Sequence, residues 1–368
     1  MDKHASSGII ARPGLDDVGF YMVGISRLPG FDSIIKLSSN ESPLGPSPAA
    51  LEAAKKALAD SHRYPELGLE ALPNALAGLF DLDPKKITFS PGSDEILLRL
   101  INSYSGPGDE VIHSEHAYMQ FPIYAIRAGS TPVAAADDDF KHSVDNILAC
   151  VTERTKIVIV ANPDNPSGTY LPGAEIRRLR NGLRNDILLI VDAAYDEYAD
   201  AADYESATNL VGEYDNVVVS RTFSKLFGLA GLRLGWCYAP HEIVDLMERI
   251  GPSFPVNVAA QAAGIAAAQD RAHSQKVLAH NRKWIDRFSA ACAECGIKAY
   301  PSQTNFVLTE FPETAGKTAA EADAYLHTQG IVGRKFALND FKNKLRFTMG
   351  LDDEMEKLIA ALKTFMSS

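Results

Sequence analysis

Ser220-Arg-Thr-Phe-Ser-Lys-Leu-Phe-Gly-Leu-Ala-Gly-Leu-Arg-Leu-Gly235 continues from the β-branched run Asn216-Val-Val-Val-Ser220. The run is apolar on both faces, as a strand of a covered parallel sheet must be. Lys225 then falls just beyond the strand, between the hydroxyls of Thr222 and Ser224 and upstream of Arg233. In open α/β sheets ligands bind beyond the carboxyl ends of the strands. A lysine amine kept partly neutral by its surroundings forms a Schiff base with an aldehyde. Two hydroxyls and an arginine suit a phosphate. A lone lysine in a glycine-rich loop reads as solvent-facing; the whole segment does not.

Outward from this strand, residues 50 to 240 alternate between helix-like stretches (49–60, 94–103) and short β-branched runs. The runs are Lys86-Ile-Thr-Phe89, Glu110-Val-Ile-His113, Lys156-Ile-Val-Ile-Val160 and Ile187-Leu-Leu-Ile-Val191. Such alternation predicts an α/β domain of three layers around a mostly parallel sheet. After Pro240 the texture changes. Helical stretches rich in Ala, Gln and Arg run from about 256 to 295. A strand at Thr304–Leu308, a helix near 318–329, strands near Ile331 and at Lys344–Thr348, and a closing helix follow. That predicts a smaller α+β domain. The expected division is an N-terminal segment of 1–40 packing with the small domain, a large domain of 41–245 and a small domain of 246–368. A chain of 368 residues has the length for two such domains.

The net charge of −11 argues against a general nucleic-acid binder, which needs a basic surface. An anionic ligand must then be held by a few local Arg and Lys. No apolar run reaches the length that spans a bilayer, and residues 1–8 lack the layout of a signal peptide. A cytoplasmic protein is expected. Cys292 and Cys295 form a lone Cys-x-x-Cys without a second pair, and the histidines show no metal-ligand spacing, so no metal is expected.

Further polar clusters end the predicted strands. In Ile187-Leu-Leu-Ile-Val-Asp-Ala-Ala-Tyr195, Asp192 closes an apolar strand, where an unpaired carboxylate is costly. A pyridinium N–H is a fitting partner, and Tyr195 is placed for a phenolate oxygen on the same ring. Helix capping by Asp192 is the alternative. Ala161-Asn-Pro-Asp-Asn-Pro-Ser-Gly168 reads as a rigid turn holding Asn165 after a strand. In Ser90-Pro-Gly-Ser-Asp-Glu-Ile96, Ser93 reads as an N-cap followed by Asp94 and Glu95 in the first turn. The same helix start offers N–H groups to a phosphate. Tyr118 follows the strand near Val111, either to stack on an aromatic ring or as an ordinary core or surface residue.

Two competing motifs fail. Glu313-Thr-Ala-Gly-Lys-Thr318 resembles the end of a P-loop, but Phe311 stands where the first glycine is required. No Gly-x-Gly-x-x-Gly opens the first strand–helix unit, which disfavours a nicotinamide dehydrogenase.

Taken together these segments resemble the fold type I pyridoxal-phosphate aminotransferases, and most closely the histidinol-phosphate aminotransferases. Lys36-Leu-Ser-Ser-Asn-Glu-Ser-Pro-Leu-Gly-Pro-Ser-Pro48 resembles the family's N-terminal Asn-Glu-Asn-Pro-x-Gly signature. Tyr64-Pro65, Gly92–Glu95, Asn162–Gly168, Asp192–Tyr195, Arg221–Lys225 and Leu345-Arg346 follow in the family's order. The resemblance implies pyridoxal 5'-phosphate bound covalently to Lys225. It implies that Asp192 pairs the pyridine nitrogen, Asn165 and Tyr195 bond the ring hydroxyl, and Tyr118 stacks on the ring. Ser93, Asp94, Thr222, Ser224 and Arg233 would surround the phosphate. Tyr64 would reach the phosphate of a neighbouring subunit, implying a homodimer. Tyr21, Asn40, Asn165, Arg334 and Arg346 match substrate contacts. Asp164 and Ser167 in the turn, Ala193, Pro73 and the stretch Gly333-Arg-Lys-Phe336 depart from the family pattern.

The expected activity is transfer of an amino group between L-histidinol phosphate and 2-oxoglutarate or glutamate, in histidine biosynthesis. Arg346 is expected to hold a phosphate or a carboxylate in turn, since both accept paired bonds from a guanidinium. The alternatives are an aromatic-amino-acid aminotransferase, a decarboxylase of phosphorylated amino acids on the same scaffold, and a non-catalytic cofactor-binding regulator.

Overall fold

The structure, a computed structural model, describes residues 12–16, 18–19, 24–65 and 70–368. Its main sheet has seven strands. In spatial order they are Ile87–Ser90, Gly235–Tyr238, Val217–Thr222, Leu188–Asp192, Thr155–Ala161, Glu110–Ser114 and Thr131–Ala135. Gly235–Tyr238 runs antiparallel to both neighbours, and the other pairings are parallel. The central strands are buried along their length, which is why they read as unbroken apolar runs. The fold class is therefore α/β with a mostly parallel sheet, as the alternation predicts.

Two strands of this sheet escape the sequence reading. Thr131–Ala135 lies at the sheet's edge, is partly exposed and contains Pro132. Proline has no N–H for a ladder and is tolerated at an edge. Gly235-Trp-Cys-Tyr238 carries no β-branched residue, and the glycine-rich loop before it masks its start.

A second, three-stranded antiparallel sheet orders Lys344–Thr348, Phe306–Glu310 and Lys298–Ala299. It has its own core, built from Trp284, Phe288, Val307, Leu326, Phe347 and Leu358 among others. Leu37 joins that core, and Ile35–Lys36 pairs in parallel with Ile331–Val332. The helix Val258–Gln269, by contrast, packs on Pro48–Ala57 and Ala71–Phe80 in the core of the main sheet. Its alanines allow this close approach, and a side chain at Gly264 would overlap Leu234 and Leu72.

The parallel strands of the main sheet end on one side, and the second sheet and the loop after Val332 face those ends. Among the described residues no helix is long and apolar enough to cross a membrane.

Candidate active site

Between the two sheets lies a cleft of about 410 Å³. It is lined by Asn40, Ser93, Asp94, Tyr118, Asn165, Asp192, Tyr195, Thr222, Ser224, Lys225, Arg233, Arg334 and Arg346. Residues scattered over three hundred positions thus meet at the carboxyl ends of the strands. Tyr64 lies outside this cleft. It is 79% exposed and stacks on Phe254 with ring centroids 4.4 Å apart. Tyr21 falls outside the described residues.

Asp192 ends its strand in a buried position. Its Oδ1 has no hydrogen-bond partner among the described residues. Burial pushes its pKa up to about 7; the charge of Asp94 adds to the rise, and that of Lys225 opposes it. Asp192 caps no helix, because the short 3-10 turn that follows begins after Tyr195. A buried carboxylate oxygen without a partner is costly, so this atom suits a proton-bearing group in the cleft. Tyr195 is buried beside it. Its hydroxyl accepts a 2.8 Å bond from Asn40 Nδ2, and Lys225 Nζ lies 5.6 Å from its ring centroid. Burial raises the Tyr195 phenol above the ordinary tyrosine range, so it is a neutral hydroxyl at neutral pH.

At the other end of the cleft the chain shapes an anion cradle. Ser224 N–H donates to Thr222 Oγ1 at 3.1 Å, and the two hydroxyls lie 3.0 Å apart. Arg233 Nη1 reaches Ser224 Oγ at 3.4 Å, and its Nη2 lies 3.8 Å from Asp94 Oδ2. Arg233 adopts a left-handed backbone (φ 55°), a conformation that a non-glycine residue rarely takes and that clusters at functional sites. The helix Ser93–Tyr104 is capped by Gly92, not by Ser93 as the sequence suggests, and no side chain caps it. A Cβ at Gly92 would overlap the Arg233 guanidinium. No side chain competes for the start of this helix, Ser93 and Asp94 line the cleft, and the helix dipole there favours an anion. Asp94 also accepts from Tyr118 at 3.1 Å and from Tyr124 at 2.8 Å, which fixes the Tyr118 ring.

On the side of the second sheet, Arg346 Nη1 donates to Asn165 Oδ1 and Nη2 donates to the Ser38 carbonyl at 3.2 Å. Its guanidinium lies over Phe306 at 4.7 Å. Arg334 pairs with Arg346 through the backbone. Both asparagine–proline bonds of the 162–166 turn are cis.

Several lining residues carried no sequence signal, among them His116, Ala117, Met119 and Leu338. They come from loops whose local sequence is ordinary, and only the tertiary fold brings them in. Arg221 opens the Arg221–Lys225 motif and has no separate role there. It is buried between Phe80 and Trp236 and pairs with Asp196 at 2.7 Å and Glu197 at 2.8 Å, which anchors the strand that leads to Lys225.

The model for aminotransferase class I and II matches residues 32–362. The histidinol-phosphate aminotransferase of Paramagnetospirillum magneticum is 46% identical over 97% of this chain and 98% of its own length. That of Rhodospirillum centenum is 45% identical over 97% and 98%. The crystal structure of histidinol-phosphate aminotransferase from Sinorhizobium meliloti in complex with pyridoxal-5'-phosphate superimposes with a TM-score of 0.84, at 28% identity and with 91% of each chain covered. The chain belongs to the class I and II aminotransferase family and, within it, groups with the histidinol-phosphate aminotransferases.

Proposed function

We propose that this aminotransferase uses pyridoxal 5'-phosphate to move an amino group between L-histidinol phosphate and 2-oxoglutarate or glutamate. The observation that carries the substrate reading is the pair Arg334 and Arg346, two buried guanidinium groups in a cleft that also holds Lys225. The names of the relatives at 43–46% identity point the same way.

The residues present fit the cofactor. The partnerless Oδ1 of Asp192 suits a protonated ring nitrogen, and the cradle at Gly92, Ser93, Thr222, Ser224 and Arg233 suits a phosphate. Tyr195 and Asn165 would hold the ring hydroxyl, Tyr118 would cover the ring, and Lys225 Nζ would hold the aldehyde carbon. When bound, the cofactor supplies an electron-accepting ring. Asp192 keeps that ring nitrogen protonated. Lys225 Nζ takes the proton from the donor's amino-bearing carbon as a base and returns it as an acid. Arg346 orients first the phosphorylated donor and then the carboxylate of the acceptor, because a guanidinium accommodates either anion.

The direct test is a half-reaction. The loaded enzyme is mixed separately with histidinol phosphate, tyrosine, phenylalanine and glutamate, and the absorbance of the Lys225-bound cofactor is followed. Fastest loss with histidinol phosphate is expected. Faster loss with tyrosine or phenylalanine would replace this reading by an aromatic aminotransferase. Release of carbon dioxide would indicate a decarboxylase, and no loss with any donor a regulator.

A homodimer completes the proposal. Its support is a set of exposed apolar side chains, Leu51, Leu58, Ile250 and Phe254, all more than a third exposed, with Phe254 stacked on Tyr64. Two separate cores support a large and a small unit near the expected division at 246, with the helix Val258–Gln269 staying with the larger. The four cysteines are all unpaired thiols, which supports a cytoplasmic setting.

A further inference from the structure

Five side chains of alternating type run from the loop after Arg334 to the turn that carries Asn165. They are Asp340, His116, Asp137, His142 and Asp164. His116 Nδ1 lies 3.0 Å from Asp137 Oδ2, and its Nε2 lies 3.3 Å from Asp340 Oδ2. A carboxylate only accepts hydrogen bonds, so both contacts are made at once when both ring nitrogens carry protons. His142 stands on the other side of Asp137 in the buried interior. Its Nδ1 lies 3.3 Å from Asp137 Oδ1, and its Nε2 lies 3.3 Å from Asp164 Oδ1 and 3.1 Å from the Ala161 carbonyl oxygen. Asp164 Oδ2 then accepts from the Ser167 N–H at 3.1 Å and hydroxyl at 2.6 Å, closing the turn around Asn165.

The two ends of this chain belong to different parts of the fold. Asp340 lies in the 3-10 turn Asn339–Phe341, between the strands Ile331–Val332 and Lys344–Thr348. His116 and Asp137 follow strands of the main sheet. Phe336, Leu338 and Phe341 of the same loop line the cleft beside Arg334. The His116 ring is also packed against Phe140 and edge-on to Phe341, with centroids 4.6 and 5.5 Å away.

We propose that His116 is a positioning residue: by donating to Asp137 and Asp340 at once, it fastens the loop Phe336–Phe341 over the substrate end of the cleft and ties it, through His142 and Asp164, to the turn that bears Asn165. The effect on the donor rests on the substrate reading above. The fastening itself does not.

The charges around the ring favour its protonated form. The hydrogen bond to Asp137 is the main cause that raises the His116 pKa; burial opposes it, and Asp340 and Glu115 add to the rise. His142 stands on the far side of Asp137, and Lys344 Nζ donates to the Asp340 carbonyl at 3.1 Å. A histidine with a raised pKa holds its partners below that pKa and releases them as pH rises through it. The loop is therefore held to a higher pH than an ordinary histidine would allow, and it loosens as pH rises through the raised pKa.

The test uses the cofactor-loaded enzyme and two variants. Asp340→Asn keeps an acceptor and removes the charge. His116→Phe keeps the packing against Phe140 and Phe341 and removes both bonds. The His116 ring is titrated by NMR, amide exchange is followed in the peptide 334–342, and KM and kcat are measured with histidinol phosphate. Wild type should show slow exchange that accelerates as His116 titrates. Asp340→Asn should lower the His116 pKa and speed exchange at neutral pH. His116→Phe should exchange fast, with no inflection beyond the intrinsic one. KM should rise roughly threefold in Asp340→Asn, whose bond loses its charge assistance, and on the order of tenfold in His116→Phe, which loses both bonds, with kcat nearly unchanged. An unchanged His116 pKa and loop exchange in Asp340→Asn would overturn the fastening. A loosened loop with unchanged KM would overturn the positioning role. If wild type does not turn over histidinol phosphate, the donor reading fails, while titration and exchange still decide the fastening.

Discussion

Arg334 and Arg346 are partners across an antiparallel bridge, each backbone N–H donating to the other's carbonyl, at 2.8 and 3.0 Å. Residues paired in this way project their side chains to the same face of the ladder. Like charges directly opposite destabilise a ladder, and these two are buried as well. The arrangement favours an anion placed before both guanidinium groups.

Arg334→Ala should therefore cut efficiency with histidinol phosphate far more than with tyrosine or phenylalanine. Losing one partner of a desolvated charge-assisted bond costs about 2–5 kcal/mol, roughly a factor of 30 to several thousand. Arg346→Ala should weaken the glutamate half-reaction too, and it frees the Asn165 amide that Arg346 holds. Steady-state kinetics with the two classes of donor provide the check. A ratio of efficiencies that stays at the wild-type value in Arg334→Ala would remove this arginine from donor selection.

Lys225 sits in the cleft close to Tyr195 and Asp192. Borohydride treatment of the loaded enzyme should fix the cofactor to the peptide containing Lys225, and mass spectrometry would identify it. Lys225→Ala should fold normally, bind the cofactor without a covalent bond and lose turnover. Label on any other lysine would contradict the assignment.

Tyr64 points to a different kind of experiment, because it lies outside the cleft of its own chain. If a neighbour's Tyr64 completes each site, a Tyr64→Ala chain and a Lys225→Ala chain complement each other. Unfolding and refolding them as a mixture should give more activity than either variant alone, and sedimentation should show a dimer. An active monomer at assay concentration would exclude this arrangement.

Much of this site is legible in the sequence because parallel strands are buried on both faces. Runs such as Leu188–Val191 and Val217–Val219 then stand out as apolar, and a polar residue directly after them, Asp192 or Ser220, marks the sheet's carboxyl end. What is hidden follows from distance and from context. Ser93 has the composition of an N-cap, yet Gly92 takes the position because a side chain there would collide with Arg233. His116 and Asp340 are 224 residues apart, and no local pattern announces that they meet. The strand Gly235–Tyr238 is held by pairing on both sides, which overrides its weak local preference.

Asp192 yields a prediction about stability as well as rate. In the cofactor-free protein, burial raises its pKa to about 7, above the ordinary aspartate value of 3.8. Between those two values the folded protein holds a proton that the unfolded chain has lost. Stability contributed by the protonated group is thus intact at low pH and declines as pH rises toward 7. The decline amounts to about 4 kcal/mol at most. A protonated ring nitrogen opposite the carboxylate offsets it, so the difference in Tm between loaded and cofactor-free protein should widen from pH 5 to pH 8, roughly the span over which this group titrates. Asp192→Asn carries no such charge. Its cofactor-free form should be more stable than wild type at pH 8, about one unit above the titration. Its loaded form should keep the covalent bond to Lys225 but lose most transamination, because nothing holds the ring nitrogen protonated. Thermal denaturation of the four species across pH, alongside half-reaction rates, decides both points. Near-normal turnover in Asp192→Asn, or a gap in Tm that does not change with pH, would take the ring-nitrogen role away from this residue.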